Sequence, residues 1–372
     1  FVRIWVHGRG NNTPAYDSNG FTLSPTQDFY DDLEFIINLA TAKKIYVNLN
    51  MWSFDMVLKN GAGQPGSTNF TAHRNTILDD NKTTSYLNNF LAPVVNLYKD
   101  NPYVLAFEVI NEPEAIWENE NNLVDGTIDR DQVITFIAKA AAKIHQESNN
   151  KKMVTVGSKW MVYNSSRYSN FSGATNTGDN FSDASLQNQF NSTDAYLDFY
   201  SMHWYQWQST GAPFNESVAS LYPNVTKPII VAEYPGLDLP NNDCGCTCTN
   251  PGVCNFNITL INAYKNIKTN NFAGISAWRN GLENDNFGKS AKIYEATLAF
   301  ANANPNLVNP TATPDANTGL VVSNITNNSF TLTWDKNENA TDGTNIFIVD
   351  DTNNSGDLYI TTVSKDVNSF EY

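Results

Sequence analysis

Residues 104 to 113 read Val-Leu-Ala-Phe-Glu-Val-Ile-Asn-Glu-Pro, an apolar run that delivers a carboxylic acid, Glu112, between an amide and a proline. Roughly 120 residues later, Pro228-Ile-Ile-Val-Ala-Glu233 delivers a second acid in the same way. An unpaired charge is costly at the edge of a core, so two apolar strands ending on Glu suggest two carboxyl groups aimed at one cleft. Paired carboxylates are the machinery of glycoside hydrolysis. One acid, with a raised pKa, protonates the leaving oxygen, and a second, kept ionised, attacks the anomeric carbon. Aromatic walls and a neighbouring negative charge would raise the first. An arginine would hold the second low, and Arg3 is the candidate.

Other residues at strand ends suit the same cleft. His203 and Tyr205, in Met-His-Trp-Tyr-Gln-Trp207, offer an imidazole and a phenol to a nucleophile or a sugar hydroxyl. Indoles stack on pyranose faces, and Trp278 is placed to floor the subsite of the scissile sugar. Trp52, Trp117 and Trp160 also follow strand ends, and some of them are packing residues. Glu108 lies four residues before Glu112 on the same strand and is expected deeper, paired with a base or an amide. Glu114 is expected to point into solvent.

Seven apolar strands precede residue 280: Val2–Val6, Lys44–Asn50, Val104–Ile110, Met153–Gly157, Phe199–His203, Pro228–Glu233 and Gly274–Trp278. Near-continuous apolar runs are the pattern of parallel strands buried on both faces. Helical spacing lies between them, over Asp28–Ala42, Tyr86–Tyr98, Gln132–His145, Ile258–Lys268 and Ser290–Ala303. Alternating strand and helix predicts an α/β fold with a parallel sheet. Since the chain opens in mid-strand, the pattern predicts a (β/α)8 barrel lacking its first strand and helix. An open doubly wound sheet is the alternative, but no Gly-rich phosphate turn follows the first strand. Long segments follow strands (Gly8–Ser24, Ser53–Lys82, Glu114–Asp129, Tyr163–Ser182, Pro235–Cys254), which places them on the C-terminal face, where barrel active sites are built.

The barrel domain is expected to span 1–303 and a Pro/Asn/Thr-rich linker 304–318. Residues 319–372 alternate with period two, like the opening strands of a fibronectin type III sandwich that is incomplete at its C-terminus. Over 372 residues the formal charge is -15 and the pI about 4.6, which argues against nucleic acid and anionic membranes as partners. A neutral polysaccharide fits better. About fourteen Asn-x-Ser/Thr sequons, among them Asn69, Asn164, Asn215 and Asn257, favour a secreted protein. Cys244, Cys246, Cys248 and Cys254 lack common zinc-site spacing and are expected to form two local disulfides of unread pairing.

These motifs resemble glycoside hydrolase family 5, of the clan of retaining (β/α)8 glycosidases. The resemblance rests on Asn111-Glu112-Pro113, the strand ending in Glu233, His203 and Tyr205 between them, Arg3 before and Trp278 after. It covers about residues 1 to 303. Finer stretches resemble endo-β-1,4-mannanases known from molluscs: Val2-Arg-Ile-Trp-Val-His7, Thr13-Pro-Ala-Tyr-Asp-Ser-Asn-Gly20, Val109-Ile-Asn-Glu-Pro-Glu114, Met153-Val-Thr-Val-Gly-Ser158 and His203-Trp-Tyr-Gln-Trp-Gln208. The resemblance implies Glu112 as acid/base and Glu233 as nucleophile. It implies Asn111 on the substrate 2-hydroxyl, Arg3 and Tyr205 on the nucleophile, and His203 and Trp278 around them. No metal or cofactor is implied. The chain departs from the pattern at the missing first strand, the cysteine-rich loop and Trp278-Arg-Asn-Gly281. The expected protein is a secreted, monomeric retaining endo-β-1,4-mannanase. The rivals are an endo-β-1,4-glucanase with the same chemistry and an inactive carbohydrate-binding protein on the same scaffold.

Overall fold

The computed structural model describes residues 1–58, 68–118, 128–205, 208, 212–239, 258–279, 288–304, 319–326, 329–335, 344–349, 357–364 and 367–371. The cysteine cluster, nearly all of the 304–318 linker, Trp207 and Asn257 lie outside these residues. Two compact units divide the chain, Phe1–Arg279 and Asn280–Tyr372.

The first unit alternates strand and helix: β1 Val2–Trp5, α1 Gln27–Ala42, β2 Val47–Asn50, α2 Phe70–Leu78, α3 Asp80–Tyr86, α4 Ala92–Tyr98, β3 Val104–Asn111, α5 Glu114–Glu118, α6 Arg130–Ser148, β4 Met153–Ser158, α7 Asp183–Gln189, β5 Tyr200–His203, α8 Val218–Leu221, β6 Ile229–Pro235, α9 Leu260–Thr269 and β7 Gly274–Trp278. The seven strands form one parallel sheet in sequence order, β1 to β7, the arrangement of a (β/α)8 barrel wall. Strands β2 and β6 are buried throughout, as strands covered on both faces must be.

Register brings the chemistry together. Arg3 pairs with Asn48, Asn50 with Glu108, Asn111 with Gly157, and His203 with Glu233. The pairing is irregular between Glu108 and Asn111, Met202 and His203, and Val231 and Tyr234. Such irregularities re-aim side chains at barrel rims.

Helix α1 starts on Thr26, whose hydroxyl accepts the Phe29 N–H, and buries Leu33, Ile37 and Ala40. Helix α6 buries small Ala138 and Ala141 beside Ile134, Ile137 and Ile144 and stops at left-handed Asn149. The segment Ser53–Lys82, expected as one long connection, carries α2 and the start of α3. These helices are rich in Thr, Asn and Asp, which favour caps and turns over helix interiors. Tertiary contacts override that preference, since Thr76, Ile77, Thr83 and Tyr86 are buried. Helices α3 and α4 run on through a π-helical turn, Leu87–Leu91.

Trp52 is a packing residue. Its fully buried ring lies 4.8 Å from Tyr86, 5.3 Å from His73 and 5.4 Å from Phe136. Trp117 is also buried, against Tyr163 and Phe181. Trp160 is half-buried beside Phe171.

The second unit holds helix α10, Ser290–Ala303, which the sequence pattern had continued from the strand–helix series. Among its described residues are also five short strands: β8 Val321–Ser323, β9 Thr331–Thr333, β10 Thr344–Val349, β11 Asp357–Val363 and β12 Ser369–Glu371. They form an antiparallel three-stranded sheet, β12-β9-β8, and an antiparallel pair, β10-β11. Among the described residues no helix is long and apolar enough to cross a membrane.

Trp52→Ala removes a ring that three aromatic neighbours enclose. It is expected to lower unfolding free energy by about 3–5 kcal/mol, read as the shift in a urea denaturation curve.

Candidate active site

The centre of the site is Arg3. Its side chain is 4% exposed and makes four bonds. Nε donates to Glu108 Oε2 at 2.8 Å, Nη1 to Glu233 Oε1 at 2.6 Å and Nη2 to Asn111 Oδ1 at 2.6 Å, while Nη2 also meets Glu108 Oε1. Burial works against the guanidinium charge, but Glu108 and Glu233 outweigh it and hold the pKa above the ordinary value. Glu108 is fully buried and accepts from Asn48 and Asn50, each at 3.1 Å. It is thus paired with a base and two amides, as expected.

Glu112 directly follows β3 in a left-handed conformation, φ 47°, which costs a non-glycine residue about 1–2 kcal/mol. Its N–H is held by Gly157 O at 2.7 Å, and helix α5 begins just beyond Pro113. The strand-to-helix reversal therefore turns on Glu112 itself. Its side chain is 18% exposed and lies 2.8 Å from His203 Nδ1. Asn111 beside it is anchored through its N–H on Trp52 O at 2.8 Å.

Glu233, 6% exposed, is held at both oxygens: Arg3 at Oε1, and the Tyr205 hydroxyl at Oε2 at 2.7 Å. His203 Nδ1 lies 3.5 Å from the same Oε2. One oxygen of Glu112, one of Glu233 and a nitrogen of His203 all fall within 4.8 Å of one another. A carboxylate pair this close suits a retaining pair, at about 5–5.5 Å, rather than an inverting one at about 6.5–9.5 Å. The same three atoms could contact a cation. However, the Arg3 guanidinium already occupies Glu233 and would repel a divalent ion.

The acid does not show the raised pKa expected of it. Burial, the largest influence, pushes Glu112 up, but the hydrogen bond and charge of His203, with Lys159 and Arg3 behind, outweigh it and hold the carboxyl below the usual value. His203 is pushed up in turn: burial opposes its charge, and Glu233 and Glu112 overcome that. The two shifts run in opposite senses, so the pair titrates as a unit across its 2.8 Å contact. Tyr205 is held well above the ordinary phenol value, first by burial and then by the two carboxylates.

Glu114 does not point into solvent. It is fully buried, accepting from Ser158 Oγ at 2.5 Å and Lys159 N–H at 3.0 Å, and burial raises its pKa to about 7. Trp278 stands at the end of β7 with its ring 5.4 Å from Trp5. All seven residues singled out in the sequence therefore lie at one end of one sheet. Gly157 was not singled out. A Cβ there would sit 2.5 Å from Glu108 Oε1, 3.0 Å from Arg3 Nη2 and 3.1 Å from His203 Nε2, so the site requires glycine. The one visible signal was its place in a strand interior, which marks close approach.

The model of the cellulase family, glycosyl hydrolase family 5, matches residues 1–275. The chain is 27% identical over 302 residues to a mannan endo-1,4-beta-mannosidase of Cryptopygus antarcticus, across 75% of this chain and 69% of that one. It is 24% identical over 253 residues to a mannan endo-1,4-beta-mannosidase of Mytilus edulis, across 63% of this chain and 64% of that one. The solved structure of the beta-1,4-D-mannanase from Cryptopygus antarcticus superposes with a TM-score of 0.62 at 24% identity, covering 79% of this chain and 77% of that one. This last likeness concerns the fold.

Gly157→Ala is expected to displace the charged cluster and to lower kcat/KM on the substrate about a hundredfold or more, with circular dichroism unchanged. Glu114 carries a pH signature in stability. With its folded pKa near 7 and an unfolded value near 4.5, the folded state binds the proton more tightly. Its contribution is present below pH 4.5, falls as pH rises to 7, and then levels off. Glu114→Gln, whose amide can serve Ser158 and Lys159, is expected to flatten that fall, about 3 kcal/mol in size, in unfolding curves taken from pH 4 to 8.

Proposed function

The chain belongs to glycosyl hydrolase family 5, and from that premise we propose that it is a retaining endo-β-1,4-mannanase. The observation that carries this is the pairing of two carboxylates within 4.8 Å: one doubly anchored by Arg3 and Tyr205, the other in contact with His203. Both relatives compared by sequence carry the name mannan endo-1,4-beta-mannosidase.

In this proposal Glu233 is the nucleophile. Arg3 and Tyr205 fix both its oxygens, leaving its position set before substrate arrives. Glu233 attacks the anomeric carbon, while the proton shared along the 2.8 Å contact between His203 and Glu112 is delivered from Glu112 to the departing glycosidic oxygen. The net charge of the cluster is the same with the proton on either partner. Glu112 then takes a proton from a water that attacks the glycosyl-enzyme and frees Glu233. Asn111, held by Arg3, is assigned to the sugar's 2-hydroxyl, and Trp278 to the ring face.

A β-1,4-glucan is the second candidate substrate, because the family's own description is cellulase. We further propose a secreted monomer. Sequons support secretion, and Asn215 is exposed. Asn164, however, is 1% exposed and accepts from Tyr222 at 2.9 Å, so a glycan there is incompatible with the fold. A fibronectin type III-like tail is proposed from two antiparallel sheets of short alternating strands.

Glu233→Ala is expected to abolish release of reducing ends from locust bean gum while retaining binding to it. Glu112→Ala is expected to lose about 10²–10⁴ in kcat on the polymer. It should lose far less in the glycosylation step of an aryl mannoside whose leaving group needs no proton. Equal losses on both substrates would remove Glu112 from the acid role. Wild-type release from carboxymethyl-cellulose but not from mannan would select the glucan instead.

A further inference from the structure

Just outside the carboxylate cluster stands a histidine whose two ring nitrogens make no full hydrogen bond. His7 is 5% exposed, and neither Nδ1 nor Nε2 has a hydrogen-bond partner. Asn50 and the Trp52 carbonyl come near the ring without reaching hydrogen-bond geometry, and both are engaged elsewhere: Asn50 Nδ2 donates to Glu108, Asn50 Oδ1 accepts from Trp52 N–H, and Trp52 O accepts from Asn111 N–H. Burial, the main influence, lowers the imidazole pKa to about 4, so near neutral pH the ring offers one donor and one acceptor. Buried polar atoms without partners are uncommon, and two on one side chain call for a ligand.

The ring's position says which ligand. Arg3 and Trp5 share one face of β1, and His7 follows two residues beyond the strand. Arg3 on that face reaches Glu233. Trp5 follows, its ring 5.6 Å below the Arg3 guanidinium carbon and 5.4 Å from Trp278. His7 comes last, stacked on Trp5 at 5.3 Å. Trp5 Nε1 is likewise buried and without a partner. His7, Trp5 and Trp278 therefore form a continuous wall at the ends of β1 and β7, reached from the nucleophile's Arg3 partner through Trp5. The wall offers apolar ring faces together with three unsatisfied nitrogen atoms, the chemistry that a sugar ring with its hydroxyls satisfies.

We propose that His7, assisted by the indole N–H of Trp5, is a substrate-binding residue that hydrogen-bonds hydroxyls of the glycone, the sugar that is transferred to Glu233. The assignment rests on the mannanase proposal and extends it to a residue outside the acid machinery. It predicts that a histidine lost here weakens substrate binding without weakening the fold.

His7→Phe keeps the stacking on Trp5 and removes both nitrogens. On mannopentaose it is expected to lower kcat/KM roughly tenfold, chiefly through KM, because the contact exists in ground and transition states alike. Its unfolding midpoint should be equal to or above that of the wild type, since removing unsatisfied buried groups does not destabilise. His7→Gln, which retains a donor and an acceptor, should recover part of the loss. A kcat/KM within twofold of wild type, or a lowered midpoint with KM unchanged, would overturn the assignment. Should His7→Phe fail to fold, imidazole ¹⁵N spectra decide. The chain has four histidines, and in the Glu233→Gln protein titrated with mannopentaose the His7 resonances must shift. Resonances that stay fixed at saturation overturn the proposal. Wild-type release of reducing ends from mannan, assayed alongside, reports separately on the activity itself.

Discussion

The site depends on one buried guanidinium. Arg3 bridges two carboxylates from two strands, Glu108 on β3 and Glu233 on β6, and holds the Asn111 carbonyl as well. Two acids removed from water in a chain of net charge -15 would repel one another and the surrounding field. One cation between them converts that repulsion into a network. Buried ion pairs contribute little net stability, but removing one partner costs about 3–5 kcal/mol because the other charge is left uncompensated. The planar fork of arginine also fixes direction, which an ammonium would not. Arg3 therefore sets the geometry of the Glu233 carboxylate more than it stabilises the fold.

Strand register makes this possible. Arg3 lies opposite Asn48 and Asn50 lies opposite Glu108, so the two amides of β2 close the remaining positions around the Glu108 carboxylate. Across the sheet, His203 lies opposite Glu233, and its imidazole stands between the two catalytic candidates. The register irregularity next to each acid allows a side chain at a strand end to turn toward the axis where regular alternation would not place it. Gly157 completes the packing by having no side chain where Glu108, Arg3 and His203 converge. The left-handed Glu112 is the local expense of that arrangement, and its N–H bond to Gly157 O is what holds it.

Much of this was legible in the sequence. An acid ending an apolar strand is conspicuous because its burial must be compensated, and that rule alone finds Glu112 and Glu233. The seven strands were readable because most of them run as near-continuous apolar segments. Residues whose role depends on a distant partner were harder. Glu114 looks like a surface acid beside a proline, and nothing local reveals that Ser158 and Lys159 on β4 and its loop will take it in. Asn48 and Asn50 read as ordinary alternation in Val-Asn-Leu-Asn, because their acceptor lies about sixty residues away. Helices α2 and α3 were hidden by Thr, Asn and Asp, whose local preference is overridden by burial of Thr76, Thr83 and Tyr86. The π-helical turn between α3 and α4 leaves no sequence period at all.

The contact between His203 and Glu112 gives the cluster its final logic. A free carboxylic acid that must donate a proton is ordinarily made by burying it among apolar groups, so that its own pKa rises. Here burial pushes Glu112 the expected way, but an imidazole at 2.8 Å and two nearby cations reverse it. In the proposed mechanism the donor is then a pair and not a residue, imidazole and carboxylate sharing the proton across an existing contact. A polysaccharide entering the cleft displaces water and brings no charge of its own. It strips solvent screening from the field of Glu233 and Arg3 without altering the cluster's net charge. In the proposed mechanism, developing negative charge on the glycosidic oxygen draws the proton through Glu112 toward itself, which leaves His203 neutral beside the Glu112 carboxylate and the newly formed Glu233 ester, ready to take a proton back when water attacks that ester.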